Sequence, residues 1–361
     1  MLFSAIPAGY FIAMAVWCVV LAIASVLLLK VRRRAKARPW RLRILHAGLA
    51  IGVFLAAVTV VELYFAVFYD GSDSLNMTNV SKRWTARHVH WNPEGFRDAR
   101  PLTPNVERGR KRIMFVGDSF TFGQGVANPA DRFSDRVGAV LEQAHPGRYI
   151  VANVGVSGYS TAQITPMVAE ALDRKYEMSD VVYTICLNDI DGFYTDVNQL
   201  YQTMEPRRPT LFLFRDTYFL NLLYFHTQQY TIPELRMYDA MLRQWYAGAE
   251  WERMKQSLQA LQATCRDSGV ELRIAVFPMV HLLGPSYPLR NIHRQITDFC
   301  TSRGIRALDL EPALTPHVDE GLRASVFDVH PSALAHQLAA DAMYESLLDD
   351  LFQTTSGSPG K

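Results

Sequence analysis

The chain has 361 residues, of which 49% are apolar and 20% charged, and this composition excludes a disordered, collagen-like or low-complexity protein. Its formal net charge of +2 is unevenly distributed, because eight basic residues and no acidic one lie between Lys30 and Arg43. Residues 70–361 hold 29 Lys and Arg against 34 Asp and Glu, a net charge of −5. A nucleic-acid partner normally requires a basic face on the folded domain. The acidic remainder therefore argues against one.

Two apolar segments predict a two-span membrane anchor over residues 1–69. Residues 1–29 carry no charge, and about 20 residues suffice to cross the hydrocarbon core. The second segment covers residues 47–61 and continues past Glu62 to Tyr69. The positive-inside rule places the short basic loop between the spans in the cytoplasm. We therefore expect the lipid bilayer as a partner and the remaining chain on the exoplasmic side, which is the periplasmic side of the inner membrane in a Gram-negative bacterium.

Two further features of residues 1–69 bear on this interpretation. A cleaved signal peptide would need a basic stretch ahead of its apolar one, and residues 1–29 have none. The second segment ends in aromatic residues of the kind that lie at a headgroup interface. We therefore interpret Glu62 as a residue that reaches the polar boundary, rather than as a functional intramembrane carboxylate.

The four cysteines are too few for a disulfide framework. Cys265 and Cys300 fall on separate predicted helices, and we favour buried free thiols there over a disulfide bridge. The sequence has no CxxC or HExxH pattern, and its histidines are scattered. We therefore expect neither a metal site nor a cofactor.

Residues 70–110 are polar and rich in turn-forming residues, which predicts a stalk and pre-domain segment. From residue 111 to the C-terminus, short apolar runs alternate with helical patterns. The predicted strands cover residues 112–116, 149–156, 180–187, 271–277 and 306–310. The predicted helices cover residues 131–145, 162–176, 250–268, 292–303 and 331–351. This alternation predicts an α/β domain over 111–361, a flavodoxin-like three-layer α/β/α fold with a parallel five-stranded sheet, preceded by two transmembrane helices.

An aromatic-rich insertion over residues 190–247 interrupts the alternation. Its aromatic residues include Tyr194, Tyr201, Phe212, Phe214, Tyr218, Phe219, Tyr224 and Trp245. The insertion is the best candidate for a lid that covers a sugar or an acyl chain. The alternative, which we favour for the aromatic side chains themselves, is that they pack on the domain or on the membrane surface.

Polar residues follow the predicted strands at their carboxyl ends, where parallel sheets bind their ligands. Gly117-Asp118-Ser119 follows the first strand, and the segment from Asn153 to Gly158 follows the second. Asn188 follows the third strand, and Asp328-Val329-His330 lies near the C-terminus. We therefore expect the segments that follow the first three strands to meet in one crevice, with His281, after the fourth strand, as a further candidate.

These four segments resemble, in order and strand context, the motif blocks of the SGNH (GDSL-type) hydrolase superfamily, over about residues 111–353. The segment Asn92-Pro-Glu-Gly95-Phe96-Arg97 is similar to one that often precedes the nucleophile block in membrane-anchored bacterial members. The resemblance implies Ser119 as nucleophile, His330 as base and Asp328 as the acid that orients it. It also implies an oxyanion hole from the Ser119 N–H, the Gly158 N–H and the Asn188 side-chain amide.

The chain departs from the usual superfamily pattern at two positions. Phe327, rather than an acid, stands three residues before His330, and the resulting Asp-x-His spacing is like that of alginate O-acetyltransferase relatives. This leaves open whether Asp328 completes a triad or a Ser–His dyad operates. Cys186 and Leu187 precede Asn188, where the superfamily usually has a glycine.

Proline is favoured at the first position of a helix, so Pro331 predicts that His330 lies at a helix N-terminus. The positive end of the helix dipole would then keep the imidazole neutral near pH 7. A neutral ring can accept the proton of the Ser119 hydroxyl.

Three functions remain open at this point. The first is a serine ester hydrolase that acts on acyl esters, in particular acetyl esters, of an extracytoplasmic substrate such as a glycan. The second is a polysaccharide O-acetyltransferase that uses the same Ser119 and His330. The third, of another class, is a non-catalytic binding or assembly protein on the same scaffold, since a fold does not guarantee activity.

Overall fold

A computed structural model describes residues 5–34, 39–107, 109–190 and 208–353. The chain divides into two compact units. The first contains Met1–Gly71, Leu75–Arg87 and Arg208–Gln229, and the second contains Ser72–Ser74, His88–Arg207 and Tyr230–Lys361.

The first unit is built on two long apolar helices. They are α1 (Ala8–Arg34) and α2 (Pro39–Val67), and both are long and apolar enough to cross a membrane. Three shorter helices belong to the same unit: α3 (Asn79–His88), α7 (Phe212–Arg215) and α8 (Phe219–Thr231). Glu62 of α2 is only 3% exposed and accepts a hydrogen bond of 2.9 Å from the Tyr10 hydroxyl. It is therefore a buried, hydrogen-bonded residue, and its place at the polar boundary of the membrane stays a prediction.

The second unit is a parallel five-stranded sheet covered by helices. Its strands are β1 (Lys111–Gly117), β2 (Tyr149–Asn153), β3 (Asp180–Cys186), β4 (Glu271–Phe277) and β5 (Arg306–Asp309). Its helices are α4 (Ser119–Phe122), α5 (Phe133–Ala144), α6 (Thr161–Asp173), α9 (Pro233–Arg236), α10 (Tyr238–Tyr246), α11 (Ala249–Asp267), α12 (Arg290–Ser302), α13 (Glu311–Leu314), α14 (Ala333–Ala342) and α15 (Asp350–Gln353). Short 3-10 turns cover Pro129–Asp131, Leu187–Asp189 and Thr315–Glu320, and a π-helical turn covers Met343–Leu347.

The strand order is β2-β1-β3-β4-β5, and all four pairings are parallel. This is the flavodoxin-like order, which reverses direction between β1 and β3. Helices α5 and α14 pack together, as do α6 and α11. Right-handed crossovers place these two pairs on opposite faces of the sheet. The sequence prediction of a three-layer α/β fold with five parallel strands is confirmed.

The register brings the carboxyl ends of the strands to one edge. Phe115 of β1 pairs with Asn153 of β2, and Gly117 of β1 pairs with Thr184 of β3. Most side chains of β1, β3 and β4 are buried on both faces of the sheet, which is why these strands are continuous apolar runs rather than alternating ones. The residues that follow β1, β2 and β3 therefore lie side by side.

Residues 70–110, interpreted from the sequence as a stalk, are packed in the structure. They contain α3, in which Trp84 is fully buried, and Arg97, which is 1% exposed. Arg100 and Arg110 donate to the carbonyls of Val151 (2.7 Å) and Tyr149 (2.8 Å). These guanidinium groups satisfy the outer carbonyls of β2, which is an edge strand, and so protect it from pairing with another chain.

The aromatic-rich insertion is divided between the two units. Residues 191–207, with Tyr194 and Tyr201, lie outside the described residues. Tyr218 and Phe225 are buried in the first unit, and Trp245 is buried in the core of the second. These described aromatic side chains therefore serve packing, the alternative that we favoured for them from the sequence.

Candidate active site

The nucleophile turn forms where β1 ends and α4 begins. Asp118 is the N-cap of α4, and its carboxylate accepts a hydrogen bond of 2.8 Å from the Phe120 N–H. Gly117 has a φ of +153°, and a Cβ there would lie 2.2 Å from Thr121 Oγ1. Only glycine fits such a position. Ser119 is consequently held as the first residue of a short helix at the carboxyl edge of the sheet.

The end of β2 supports this turn from the side. The Asn153 amide donates to the carbonyl of Thr121 (2.6 Å) and to Ser134 Oγ (2.7 Å). A Cβ on Gly155 would lie 2.4 Å from the Phe122 nitrogen. The absence of a side chain at Gly155 therefore lets β2 and α4 approach each other.

Hydrogen bonds join the carboxylate of Asp328, the imidazole of His330 and the hydroxyl of Ser119 in a line. Asp328 Oδ1 lies 2.6 Å from His330 Nδ1, and His330 Nε2 lies 3.0 Å from Ser119 Oγ. Asp328 Oδ1 also accepts the His330 backbone N–H at 3.0 Å. Asp328 is fully buried and His330 is 8% exposed. The geometry is that of a nucleophile, a base and the acid that orients the base.

A second serine contacts the same carboxylate from a distant part of the chain. Ser72 donates its hydroxyl to Asp328 Oδ2. Ser74 accepts the Val329 N–H at 3.0 Å, and its own N–H donates to the carbonyl of Phe327 at 3.3 Å. The segment Ser72–Ser74 therefore holds the loop that contains Asp328. Sequence reasoning missed it, because nothing in a short polar segment marks a contact with residues more than 250 positions away.

Asp118 connects the nucleophile to the Asn188 amide. Its Oδ2 accepts from Ser119 Oγ (3.1 Å) and from Asn188 Nδ2 (3.2 Å). Asn188 lies in the 3-10 turn after β3, where Asp189 Oδ2 accepts the Cys186 N–H (3.2 Å) and the Tyr183 hydroxyl (2.9 Å). Asn188 is thus fixed by its turn and by Asp118, a role for Asp118 that the sequence did not indicate.

Gly158 lies in the connection between β2 and α6. It is exposed and has a φ of +82°, and a Cβ there would meet nothing within 4 Å. The hydrogen bonds found among the described residues join Ser119, His330, Asp328 and, through Asp118, Asn188. They do not include Gly158, which is exposed.

The electrostatics of the site depend on two buried carboxylates beside one imidazole. Burial alone would lower the pKa of His330, but the Asp328 carboxylate, with a contribution from Asp118, raises it above its ordinary 6.5. Burial opposes ionisation of Asp328, yet His330 and Ser72 hold its pKa below its usual value. Burial raises the pKa of Asp118. The Asp328 carboxylate therefore stabilises the protonated form of His330 by more than burial disfavours it.

This result corrects the expectation that a helix N-terminus keeps His330 neutral. Pro331 forms an isolated antiparallel bridge with Arg323, and α14 begins only at Ala333, with Ser332 as its N-cap. Proline is favoured at a helix start but is equally compatible with an extended residue. The charge of Asp328, in direct contact, therefore determines the pKa of His330.

His281 lies in the connection after β4, as expected. Burial, with an opposing effect of Asp239, lowers its pKa to about 4. Its Nδ1 is buried and has no hydrogen-bond partner among the described residues. The charges of Arg323 and His330 also lower this pKa. His281 is thus a neutral imidazole in the electrostatic field of His330, and no hydrogen bond links it to the three residues above.

Arg97, from the segment that carried the superfamily resemblance, lies behind the nucleophile turn. Its guanidinium donates to the carbonyls of Gly123 and Val126, both at 2.7 Å. It also lies over the Phe122 ring, 5.4 Å from the centroid. The loop after α4 thus wraps around a buried cation. The resemblance of this segment assigned no role to the arginine, and the structure shows its contacts with the loop after α4.

A sequence profile of the GDSL-like lipase/acylhydrolase family matches residues 115–338. The chain belongs to this family. The match covers more than half of the chain and contains Ser119, Gly158, Asn188, Asp328 and His330. The chain is therefore a hydrolase of the SGNH type, as the sequence resemblance implied.

The search of curated proteins finds no match. Among solved structures, TesA has 15% sequence identity and a TM-score of 0.42, over 67% of this chain and 99% of TesA. A catalytic mutant of Axe2, an acetylxylan esterase from Geobacillus stearothermophilus, has 15% identity and a TM-score of 0.42, over 66% and 95% of the two chains. The two-domain esterase CEX, active on acetylated mannans, has 15% identity and a TM-score of 0.39, over 70% and 52%.

The buried histidines give a prediction about protonation. In a pH titration of the full chain with ¹³C-labelled histidine, we expect the His330 signal to titrate above 6.5, because Asp328 stabilises the imidazolium. His281 and His336 should stay neutral until about pH 4 and about pH 3, because burial dominates there. The variants His330→Gln and His281→Gln assign the signals. A His330 signal that titrates below 6.5 would contradict the electrostatic description.

Proposed function

We propose that this chain is a membrane-anchored serine esterase that hydrolyses acyl esters, in particular acetyl esters, of an extracytoplasmic substrate such as a glycan. The observation that carries the proposal is the line of contacts from Asp328 through His330 to Ser119, with distances of 2.6 Å and 3.0 Å. A serine hydroxyl becomes a nucleophile when an adjacent base takes its proton. The base here is in contact both with that hydroxyl and with a buried carboxylate.

The reaction follows from these contacts. Ser119 Oγ attacks the ester carbonyl while His330 Nε2 takes the hydroxyl proton, and Asp328 stabilises the imidazolium that forms. The tetrahedral intermediate then collapses, the ester C–O bond breaks, and His330 returns the proton to the departing alcohol. A water molecule, deprotonated by His330, attacks the acyl-serine and releases the carboxylic acid together with free Ser119.

The tetrahedral intermediate places negative charge on the former carbonyl oxygen. We assign its stabilisation to the Ser119 N–H, the Gly158 N–H and the Asn188 amide. Two observations support this assignment: Gly158 is exposed, and the Asn188 amide, which has two hydrogens, uses one on Asp118. One such donor contributes about 2.7–4 kcal/mol to transition-state stabilisation.

The location of the site is part of the proposal. Helices α1 and α2 are long and apolar enough to form spans, and the basic residues lie in the stretch that connects them. The positive-inside rule then gives an exoplasmic second unit. In a Gram-negative cell the second unit would then lie in the periplasm.

Ser72 serves this site as a positioning residue. Asp328 is fully buried, and a buried carboxylate oxygen without a hydrogen-bond donor is unfavourable by about 1–3 kcal/mol. Ser72 donates to the oxygen that faces away from His330, while the other oxygen binds the imidazole. The line of hydrogen bonds thus runs from Ser119 to His330, from His330 to Asp328, and from Asp328 to Ser72.

The decisive test of the proposed function uses the full chain in detergent. A fluorophosphonate should label the wild-type protein and the control Ser302→Ala, in which an exposed serine is removed, but not Ser119→Ala. Hydrolysis of p-nitrophenyl acetate should fall by at least about 10³-fold in Ser119→Ala, since the nucleophile is lost. An unlabelled wild-type protein would contradict catalysis and favour a binding or assembly protein.

The same assay separates hydrolysis from transfer. We expect acetate as the product whether or not an oligosaccharide acceptor is added. Appearance of an acetylated acceptor, with a matching loss of free acetate, would contradict the hydrolase assignment and support the O-acetyltransferase. The acceptor is included because the Asp-x-His spacing of Asp328 and His330 is like that of alginate O-acetyltransferase relatives.

Removal of the Ser72 hydroxyl should affect turnover and not substrate binding. We expect Ser72→Ala to lower kcat about tenfold, equivalent to about 1.4 kcal/mol, with an unchanged KM, because Ser72 orients Asp328. Ser74→Ala is the matched control, since among the described residues the Ser74 hydroxyl forms its hydrogen bonds with the backbone of the same loop. This control should lower the apparent Tm and leave kcat within about twofold. Equal kcat values for the wild type and Ser72→Ala would overturn the positioning role.

A further inference from the structure

A short helical segment of the first unit exposes large apolar side chains. Helix α7 and the residue before it present Leu211, Phe212 and Leu213, and Phe212 is 61% exposed. Leu223 of α8 is 42% exposed. Large apolar groups at a protein surface mark contacts with another molecule or a membrane. The contacts of this segment within the first unit distinguish between these two partners, another molecule and a membrane.

Glu62 of α2 fixes the start of α8. Its carboxylate accepts the backbone N–H groups of Tyr218 (2.6 Å) and Phe219 (2.8 Å), in addition to the Tyr10 hydroxyl. A carboxylate at a helix N-terminus satisfies N–H groups that have no partner within the helix. The Phe65 and Phe219 rings lie 5.1 Å apart. The start of α8 is thus attached to the side of α2.

Two further groups hold this junction together. The Asn79 amide donates to the carbonyls of Arg215 (2.7 Å) and Thr217 (2.8 Å), which fixes the connection between α7 and α8. Arg83 donates to the carbonyl of Phe65 (2.8 Å) near the end of α2, and its guanidinium lies 4.9 Å from the centre of the Tyr218 ring. The α7–α8 connection is therefore a fixed part of this unit.

The depth of the junction follows from helix geometry. A hydrocarbon core of about 30 Å corresponds to about 20 helical residues. Counted from Ile44, the first apolar residue after the basic loop, the core ends near Tyr64. Glu62 therefore lies at the edge of the core, about 7.5 Å before the end of α2 at Val67. The backbone of Tyr218, bound to Glu62, lies at the same level.

We propose that residues 211–223 form a third membrane contact, an interfacial segment whose apolar side chains enter the exoplasmic headgroup region beside α2. The lipid is favoured because the exposed surface of α2 at this level is itself apolar: Tyr64 is 52% and Phe68 61% exposed. Aromatic side chains of this kind settle at the interface. The inference rests on the proposed membrane anchor, whose lipid-facing surface it extends.

The segment also explains how a carboxylate is tolerated in α2. A charged side chain inside a membrane is unfavourable unless it is paired or hydrogen-bonded. Glu62 receives three hydrogen bonds, two of them from the start of α8. These hydrogen bonds therefore stabilise both the Glu62 carboxylate within α2 and the position of the interfacial segment beside α2.

Spin-label accessibility tests this inference in the full chain, reconstituted in phosphatidylcholine nanodiscs. The background variant is Cys18→Ala, because Cys18 is exposed and the other three cysteines are buried. Nitroxides are attached at Phe212→Cys and, as a second site, Leu213→Cys. Val53→Cys, in the exposed surface of α2, gives the reference value for a nitroxide in contact with lipid. Arg266→Cys, at an exposed charged residue of α11, gives the reference value for a nitroxide in contact with water.

The readout is the ratio of the nitroxide collision rates with oxygen, which concentrates in lipid, and with a water-soluble nickel chelate. At positions 212 and 213 we expect a ratio several-fold higher than that of Arg266→Cys and close to that of Val53→Cys. A water-like ratio at both positions would overturn the interfacial segment. Low collision rates with both reagents would overturn it too, because they indicate coverage by protein. A water-like ratio at Val53→Cys contradicts the membrane anchor itself, so the two failures are distinguishable.

Discussion

The buried ion pair between Asp328 and His330 is the interaction on which the rest of the site depends. Asp328 is fully removed from water, a position that disfavours its charge unless partners stabilise it. The imidazole and the Ser72 hydroxyl supply those partners, and the carboxylate in turn raises the pKa of His330. The orientation that aims Nε2 at Ser119 follows from this pairing.

The fold serves this pair by bringing four segments to one edge of a sheet. Glycines at positions 117 and 155 permit backbone approaches that a Cβ would prevent. Asp118 then ties the nucleophile to Asn188, and Arg97 anchors the loop that follows α4. Most of these groups are buried and hydrogen-bonded, so the site is fixed before any substrate arrives, which is the condition for electrostatic catalysis.

The sequence predicted the fold from its alternating apolar runs, and it predicted the meeting of Ser119 with His330 through the resemblance to the SGNH superfamily. Apolar runs set the strands, and parallel strands gather their carboxyl ends at one edge. Two features could not be predicted. The Ser72–Asp328 contact joins residues 256 positions apart, and no local pattern encodes such a pairing. His330 was placed at a helix start because Pro331 permits one, whereas the bridge between Arg323 and Pro331 delays the helix to Ala333.

The central claim is that one crevice unites a nucleophile, a base and an oxyanion hole, and an experimental structure of a phosphonylated protein tests it most directly. The account predicts phosphorus on Ser119 Oγ, with the phosphonyl oxygen about 2.7–3.1 Å from the backbone nitrogens of Ser119 and Gly158 and from Asn188 Nδ2. His330 Nε2 should lie within hydrogen-bond distance of the leaving-group side. A phosphonyl oxygen directed into solvent, or phosphorus on another residue, would contradict the account.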